Sequence, residues 1–195
     1  QMKKNKLIVF VLIALVLLTA CTKEVNEDSK PGTPEAPQHF KIKYKLLDKE
    51  YTLPTSYEEL EKDGWILQDD PETVLEKETF IRNKFLRNGP YILDVSFYNP
   101  EDEDKKLSES LISSIGAENR SFGKDKASDL LVMDKVNFSS SIEDASKVLG
   151  EYSEESNAQF DTYIFQHDKL SKTEIKIDKD NNTARWIIIE SFRAD

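Results

Sequence analysis

Few side chains in this 195-residue chain could do covalent or metal chemistry: one cysteine, two histidines, and 37 carboxylates set against 27 basic residues. The cysteine, Cys21, stands directly behind Leu18-Thr19-Ala20 at the exit of an apolar run. Ser121 and Lys124 have the spacing of a serine nucleophile and its lysine base. The Ser-Asp-Asn and Lys-Thr-Gly partners of that chemistry are missing, and the pair falls in a joint instead of opening a helix. Asp178, Asp180 and Asn182 alternate as in a calcium loop. The sixth position of such a loop should be glycine and is Thr183, and the twelfth should be glutamate and is Ile189, so a hairpin turn is expected. Glu101-Asp102-Glu103-Asp104 follows Pro100 and reads as a solvated turn, with weak divalent-ion binding as its other use. His39 and His167 are far apart in sequence and fall at a tether end and a strand end, which favours surface roles over ligation. The chain has no nucleophile elbow, P-loop or dinucleotide fingerprint. In so acidic a chain, paired carboxylates arise by chance. Catalysis, a cofactor and a metal site are therefore not expected.

Cys21 is different, because its surroundings form a pattern. Lys3, Lys4 and Lys6 precede an apolar run over residues 7–18, and small residues follow at Thr19 and Ala20, the layout of a secretory signal. The run is too short to span a membrane, which takes about 20 apolar residues for a ~30 Å hydrocarbon core. Leu18-Thr19-Ala20-Cys21 resembles the lipobox of bacterial lipoproteins. That resemblance implies a diacylglyceryl group on the Cys21 thiol and removal of residues 1–20. Two acyl chains make a stable anchor, each buried methylene adding ~0.8 kcal/mol. The expected location is the extracytoplasmic side of the cell membrane, held by lipid. With Cys21 consumed, no thiol is left for a disulfide, so core packing must supply the stability.

Three of the 27 basic residues and none of the 37 acids lie in residues 1–20, which leaves 24 basic against 37 acidic groups, net −13, in the remainder. A body so charged argues against nucleic acid as a partner. Anionic lipid repels it except where a local basic patch faces the membrane.

The elements that must carry these residues follow from periodicity. Residues 21–38 are polar, contain Pro31, Gly32, Pro34 and Pro37, and lack an apolar period, so a disordered tether is expected. It would hold the domain on the order of 20–25 Å from the anchor. Phe40, Ile42, Tyr44 and Leu46 alternate with Lys41, Lys43 and Lys45, the pattern of a half-buried strand. The lysines have two uses: keeping a first strand from pairing with strangers, or forming a surface patch toward anionic headgroups or wall polymers. Asp48-Lys49-Glu50 turns the chain into a short strand that Pro54 stops. Thr55 with Glu58 reads as a capping box, Tyr57 and Leu60 share a helix face, and Gly64 supplies the left-handed stop, with Trp65 folding back on the last turn. Eighty-five residues later, Ser140, Glu143 and Gly150 repeat that plan around Ile142, Ala145, Val148 and Leu149. Strands are expected after the first helix over 79–86 and 91–98, and after the second over 160–167, 172–178 and 184–192. Leu93, Val95 and Phe97 line one face in the first half, and Thr173, Ile175 and Ile177 do so in the second. Residues 184–192 are apolar on both sides, which suits a central strand. Over 108–115 the apolar spacing of Leu107, Leu111 and Ile115 fits a helix, whereas the repeat calls for a strand, and the strand is the expectation taken.

The fold expected is α+β: tandem α-β-β-β repeats, with antiparallel sheet and the short helices on one face. Its organisation is residues 1–20 as signal, 21–38 as acylated cysteine and tether, 39–118 as first repeat, 119–128 as joint and 129–195 as second repeat. Tyr51-Thr52-Leu53-Pro54 before a capped helix ending Gly64-Trp65, then Ser141-Ile142-Glu143-Asp144 with Leu149-Gly150 before a meander, resembles surface lipoproteins of low-GC Gram-positive bacteria. The second half is also similar to the helix-plus-meander repeat of the β-lactamase-inhibitory protein and of the small lipoprotein of the outer-membrane assembly machine. The glycine often found before that helix is absent at Phe138-Ser139-Ser140, and Glu151 replaces the expected proline. The resemblance implies a non-catalytic, protein-binding scaffold with an envelope protein or wall polymer as partner. An envelope hydrolase is the alternative, or a peptide pheromone cut from the signal over 13–20. Tyr91, Tyr98, Tyr163 and Phe165 could form either an exposed binding face or a second layer of core.

Overall fold

The structure, a computed structural model, describes residues 40–122 and 128–192. The signal, Leu18, Thr19, Ala20, Cys21, the tether, His39 and Lys124 lie outside the described residues. Along the chain come Ile42–Leu46 (β1), Lys49–Leu53 (β2), Thr55–Ser56 (β3), Tyr57–Lys62 (α1), Ile66–Leu67 (β4), Val74–Leu75 (β5), Thr79–Asn88 (β6), Tyr91–Asn99 (β7) and Lys105–Lys106 (β8). Then follow Leu111–Glu118 (β9), Asn119–Phe122 (α2), Leu130–Val132 (β10), Ile142–Leu149 (α3), Ser153–Ser156 (β11), Phe160–Asp168 (β12), Ser171–Asp178 (β13) and Thr183–Ser191 (β14). The molecule is mostly antiparallel sheet with a few short helices, and His39–Asp195 form one compact unit.

The main sheet has the order β11-β12-β13-β14-β9-β7-β6-β4, with β3 pairing on β9. Its hairpins close where turn residues stand. Gly89 (φ 56°) and Pro90 link β6 to β7. Between β13 and β14, Asn182 (φ 50°) donates from N–H to the Asp178 carbonyl at 2.8 Å, and Asp180 N–H donates to Asp178 Oδ1 at 2.9 Å. The calcium-like run is thus a hairpin turn. Residues 111–118 are strand, preceded by a 3-10 turn at Leu107–Glu109. Pairing with β7 and β14 on either side outweighs the helical spacing there, because Ser114, Ile115, Gly116 and Ala117 are laddered on both edges.

Alternation puts Leu93, Val95, Phe97, Ile115, Ile175 and Ile187 on one face, all buried. Helix α1 covers them through Tyr57, whose ring meets Phe97 at 5.9 Å, and Leu60. Helix α3 adds Ala145 and Leu149 to the same core. Both helices start one residue later than the capping-box spacing suggests. Ser56 accepts from Glu59 N–H (3.3 Å) and Ser141 from Asp144 N–H (3.0 Å). Thr55 and Ser140 are otherwise engaged: the buried Thr55 hydroxyl receives the Tyr44 hydroxyl at 2.9 Å, and Ser140 accepts from Asn137 N–H at 3.0 Å. At the C-terminus of α1, Gly64 (φ 91°) N–H donates to Glu61 O at 2.9 Å and Trp65 N–H to Leu60 O at 3.1 Å, a Schellman closure that folds Trp65 into the core.

The first hairpin turns at Leu47-Asp48, since Lys49 and Glu50 already pair with Leu46 and Lys45. A smaller sheet, β10-β1-β2, then adds Ile42, Tyr44, Leu46, Tyr51 and Leu53 to the core. Strand β1 is its middle strand and not an edge, so its lysines guard no open ladder. Two features cut across the proposed halves: β10 from beyond the joint pairs with β1, and α2 within the joint buries Phe122 against Tyr91 (5.2 Å).

Trp65→Ala should cost about 3–5 kcal/mol, the scale for emptying a buried aromatic site. Ser141→Ala should cost about 1 kcal/mol through loss of the cap. Urea unfolding followed by circular dichroism measures both.

Candidate functional site

The side of the main sheet opposite the helices is built by the residues between the core positions. One row across the strands reads Glu174, Ile188, Gly116, Asp94, Phe85. The next reads Lys172, Glu190, Ser114, Ser96. Phe80 and Tyr98 pair on this side too, and Phe192 meets them at 5.3 and 6.0 Å. Phe80 is 50% and Phe85 43% exposed, so no described element covers this end of the face. Trp186 and Ile188 stand half-buried at the centre.

Charge on this face is arranged around the aromatics. Arg82 lies over the rings of Phe80 (5.1 Å) and Phe192 (5.9 Å), a cation–π arrangement worth ~0.5–1 kcal/mol at an exposed site. Lys172 donates to Glu174 at 2.6 Å and lies 3.1 Å from Glu190. Burial pulls the Lys172 pKa down, but the two carboxylates outweigh it and hold the ammonium above its ordinary value. Asp94 is the exception: burial alone pushes its carboxyl above the usual range, and no cation answers it.

The candidates named from the sequence are scattered. Lys41 and Lys43 are exposed on the outer side of β1, and Lys45 is half-buried there. Acids interrupt the stripe: Glu50 stands opposite Lys45, and Lys43 shares a hollow with Glu50, Glu59 and Asp134. Of the four aromatics, Tyr91 and Phe165 are core, Tyr163 packs against that core, and only Tyr98 reaches the outer face. His167 is half-buried, stacked on Phe40 at 4.1 Å with Nε2 2.9 Å from Thr173 Oγ1. Burial lowers its pKa. The acidic turn is docked, with Asn99 Nδ2 donating to Glu103 O (2.8 Å) and Asp104 accepting from Lys77 N–H (3.0 Å). Among the described residues, no three His, Cys, Asp or Glu side chains cluster to hold a metal, and no helix is long and apolar enough to cross a membrane. A hollow of about 530 Å³ at the start of α3 holds one carboxylate, Asp161, which is bound to Ser156 (2.7 Å) and Lys179 (3.1 Å).

Sequence reasoning passed over Phe80, Phe85, Asp94 and Gly116. The available signal lay in β14, where Trp186 and Ile188 back onto Ile187 and Ile189. Apolar residues on both sides of a strand call for a cover on both sides, and the structure supplies only one.

Because the folded-state pKa of Asp94 exceeds the unfolded value, its ionised form opposes folding. That penalty grows as pH rises above about 3.9 and is complete at neutrality. Asp94→Asn should raise Tm by roughly 1–3 °C at pH 7, the modest size reflecting partial exposure, and leave it unchanged below about pH 3. Thermal melts across pH measure it. No family model, curated protein or solved structure matches the chain.

Proposed function

We propose that this chain is an extracytoplasmic lipoprotein, acylated on Cys21, whose folded body is a non-catalytic module that binds a protein of the cell envelope on the open face of its main sheet. The observation that carries the reading is the uncovered apolar surface around Phe80, Phe85, Tyr98 and Phe192. Exposed aromatics on a rigid sheet face, here Phe80 in a cluster with Tyr98 and Phe192 and Phe85 farther along the same strand, lose apolar–water contact when a partner covers them. The rim of Arg82, Lys172, Glu174 and Glu190 gives such a partner a register. The lipobox Leu18-Thr19-Ala20 before Cys21 supports the anchor and the extracytoplasmic location.

The order α1 then β6-β7-β9, followed by α3 then β12-β13-β14, supports a duplicated helix-plus-meander unit of the kind found in Gram-positive surface lipoproteins. Lys41, Lys43 and Lys45 serve in this reading as a secondary surface toward headgroups or wall polymer, weakened by the acids beside them. The hydrolase alternative needs an acid and a base facing one another in a cleft, and the hollow at α3 offers one neutralised carboxylate.

Radiolabelled palmitate should enter the wild-type chain and not Cys21→Ser; equal labelling of both ends the anchor. A photo-crosslinking residue at Phe85 should yield a discrete adduct on intact cells, and one at Glu143 on α3 should not. Adducts from both positions, or from neither, remove the sheet face as the binding surface.

A further inference from the structure

The centre of the open face contains a notch. In the row Ile188-Gly116-Asp94 the middle residue has no side chain, and its neighbours Ser114 and Ser96 are small, so a gap of about 130 Å³ opens beside Trp186. That leaves room for one slender side chain. Nothing in the backbone demands glycine here. A Cβ on Gly116 would meet Asp94 O at 3.5 Å, Asp94 Cβ at 3.6 Å and Ile188 Cγ1 at 3.7 Å, all ordinary contacts. The missing side chain makes space, not strain relief.

Asp94 forms one wall of this gap, and among the half-buried acids of the described residues it is the one without a partner. The other half-buried acids have partners: Asp63 with Tyr51 (2.7 Å), Asp69 with Lys84 (2.8 Å), Glu118 with Arg185 (2.6 Å), Asp129 with Tyr91 (2.6 Å), Asp161 with Ser156 (2.7 Å), and Glu174 and Glu190 with Lys172. Asp168 and Asp178 accept from the N–H groups of Leu170 and Asp180. Of the half-buried acids among the described residues, Asp94 alone has a side chain with neither a hydrogen bond nor an ion pair, although burial already penalises its charge. Arg82 and Glu190 also border the notch. Arg82 rests on Phe80 and Phe192, and Glu190 is held by Lys172.

We propose that the notch over Gly116 receives one lysine or arginine side chain of the docked protein, with Asp94 as its counter-ion and Trp186 as its aromatic wall. An entering cation answers a carboxylate that is partly stripped of water and unpaired, so part of the desolvation cost on the receiving side is already met. The indole face adds cation–π attraction. An anionic side chain would meet Asp94 as a like charge, and a neutral apolar one would bury that carboxylate without an answer. The inference rests on the open face being the docking surface.

The test uses the full chain and its own fluorescence. Trp65 is buried in the core and Trp186 borders the notch, so a ligand there moves Trp186 emission. Titration with the capped tripeptides Gly-Lys-Gly and Gly-Arg-Gly should give a saturable change, absent with Gly-norleucine-Gly and Gly-Glu-Gly and lost in Trp186→Phe. Asp94→Asn should weaken the cationic response about ten-fold, the scale of one partly buried charge pair. Gly116→Ala, which fills the floor and should fold normally, should weaken it similarly. An equal response to norleucine, or an unchanged affinity in Asp94→Asn, overturns the assignment. The Phe85 crosslink separates the two readings: adduct with no cation preference leaves docking standing and removes the notch, whereas cation binding without adduct leaves the notch and removes docking.

Discussion

The contact on which the rest of this molecule depends is the antiparallel seam between β9 and β14. Each of these strands ends one four-stranded side of the main sheet, β11-β12-β13-β14 and β9-β7-β6-β4, and would otherwise present an open ladder. Pairing Ile187 with Ala117 and Ile189 with Ile115 closes both edges and buries all four residues in one layer. Each fully buried isoleucine contributes about 1.5–3 kcal/mol. Meanders of this size, without disulfide or metal, are marginal alone. Joined here they share one core.

The same register governs the opposite face, because side chains alternate with a period of two. If Ile187 and Ile189 point to the helices, then Trp186, Ile188 and Glu190 point away, and Gly116 must lie beside Ile188. The notch, the unpaired Asp94 and the core are consequences of one pairing. A slip by one residue would bring Trp186, Ile188 and Glu190 into the interior. The lone charge of Asp94 is tolerable because the face is partly wet, and its cost is the stored cause of any preference for a cation.

A second tie makes the N-terminal hairpin part of this body. Strand β1 sits between β2 and β10, Tyr44 reaches the Thr55 hydroxyl, and Phe40 stacks on His167 across the chain. In the proposed lipoprotein, the first described strand, β1, is thus clamped from both sides. A pull on the anchor would be met by two ladders acting in shear, instead of by a fraying terminus.

The sequence by itself determined what depends on neighbours along the chain. Alternation at Ile42, Tyr44 and Leu46 and at Leu93, Val95 and Phe97 marked strands. The Gly64 stop, the Gly89-Pro90 turn and the Asp180-Asn181-Asn182 turn were readable because turn chemistry is local. The candidate anchor at Cys21 is likewise a short linear pattern. Only the tertiary structure decided that Ser56 and not Thr55 caps α1, since folding brings the Tyr44 hydroxyl to Thr55, whereas Ser140 is claimed locally by the Asn137 N–H. The tertiary structure also settled the strand that the repeat called for, placing it at 111–118 against the local helical spacing, and sorted the aromatics by sending Phe165 to the core and Tyr98 outward. Asp94, Gly116 and Trp186 are far apart in sequence, and no local rule places them side by side. Their adjacency is a property of strand register, and register is set by the core face they do not touch.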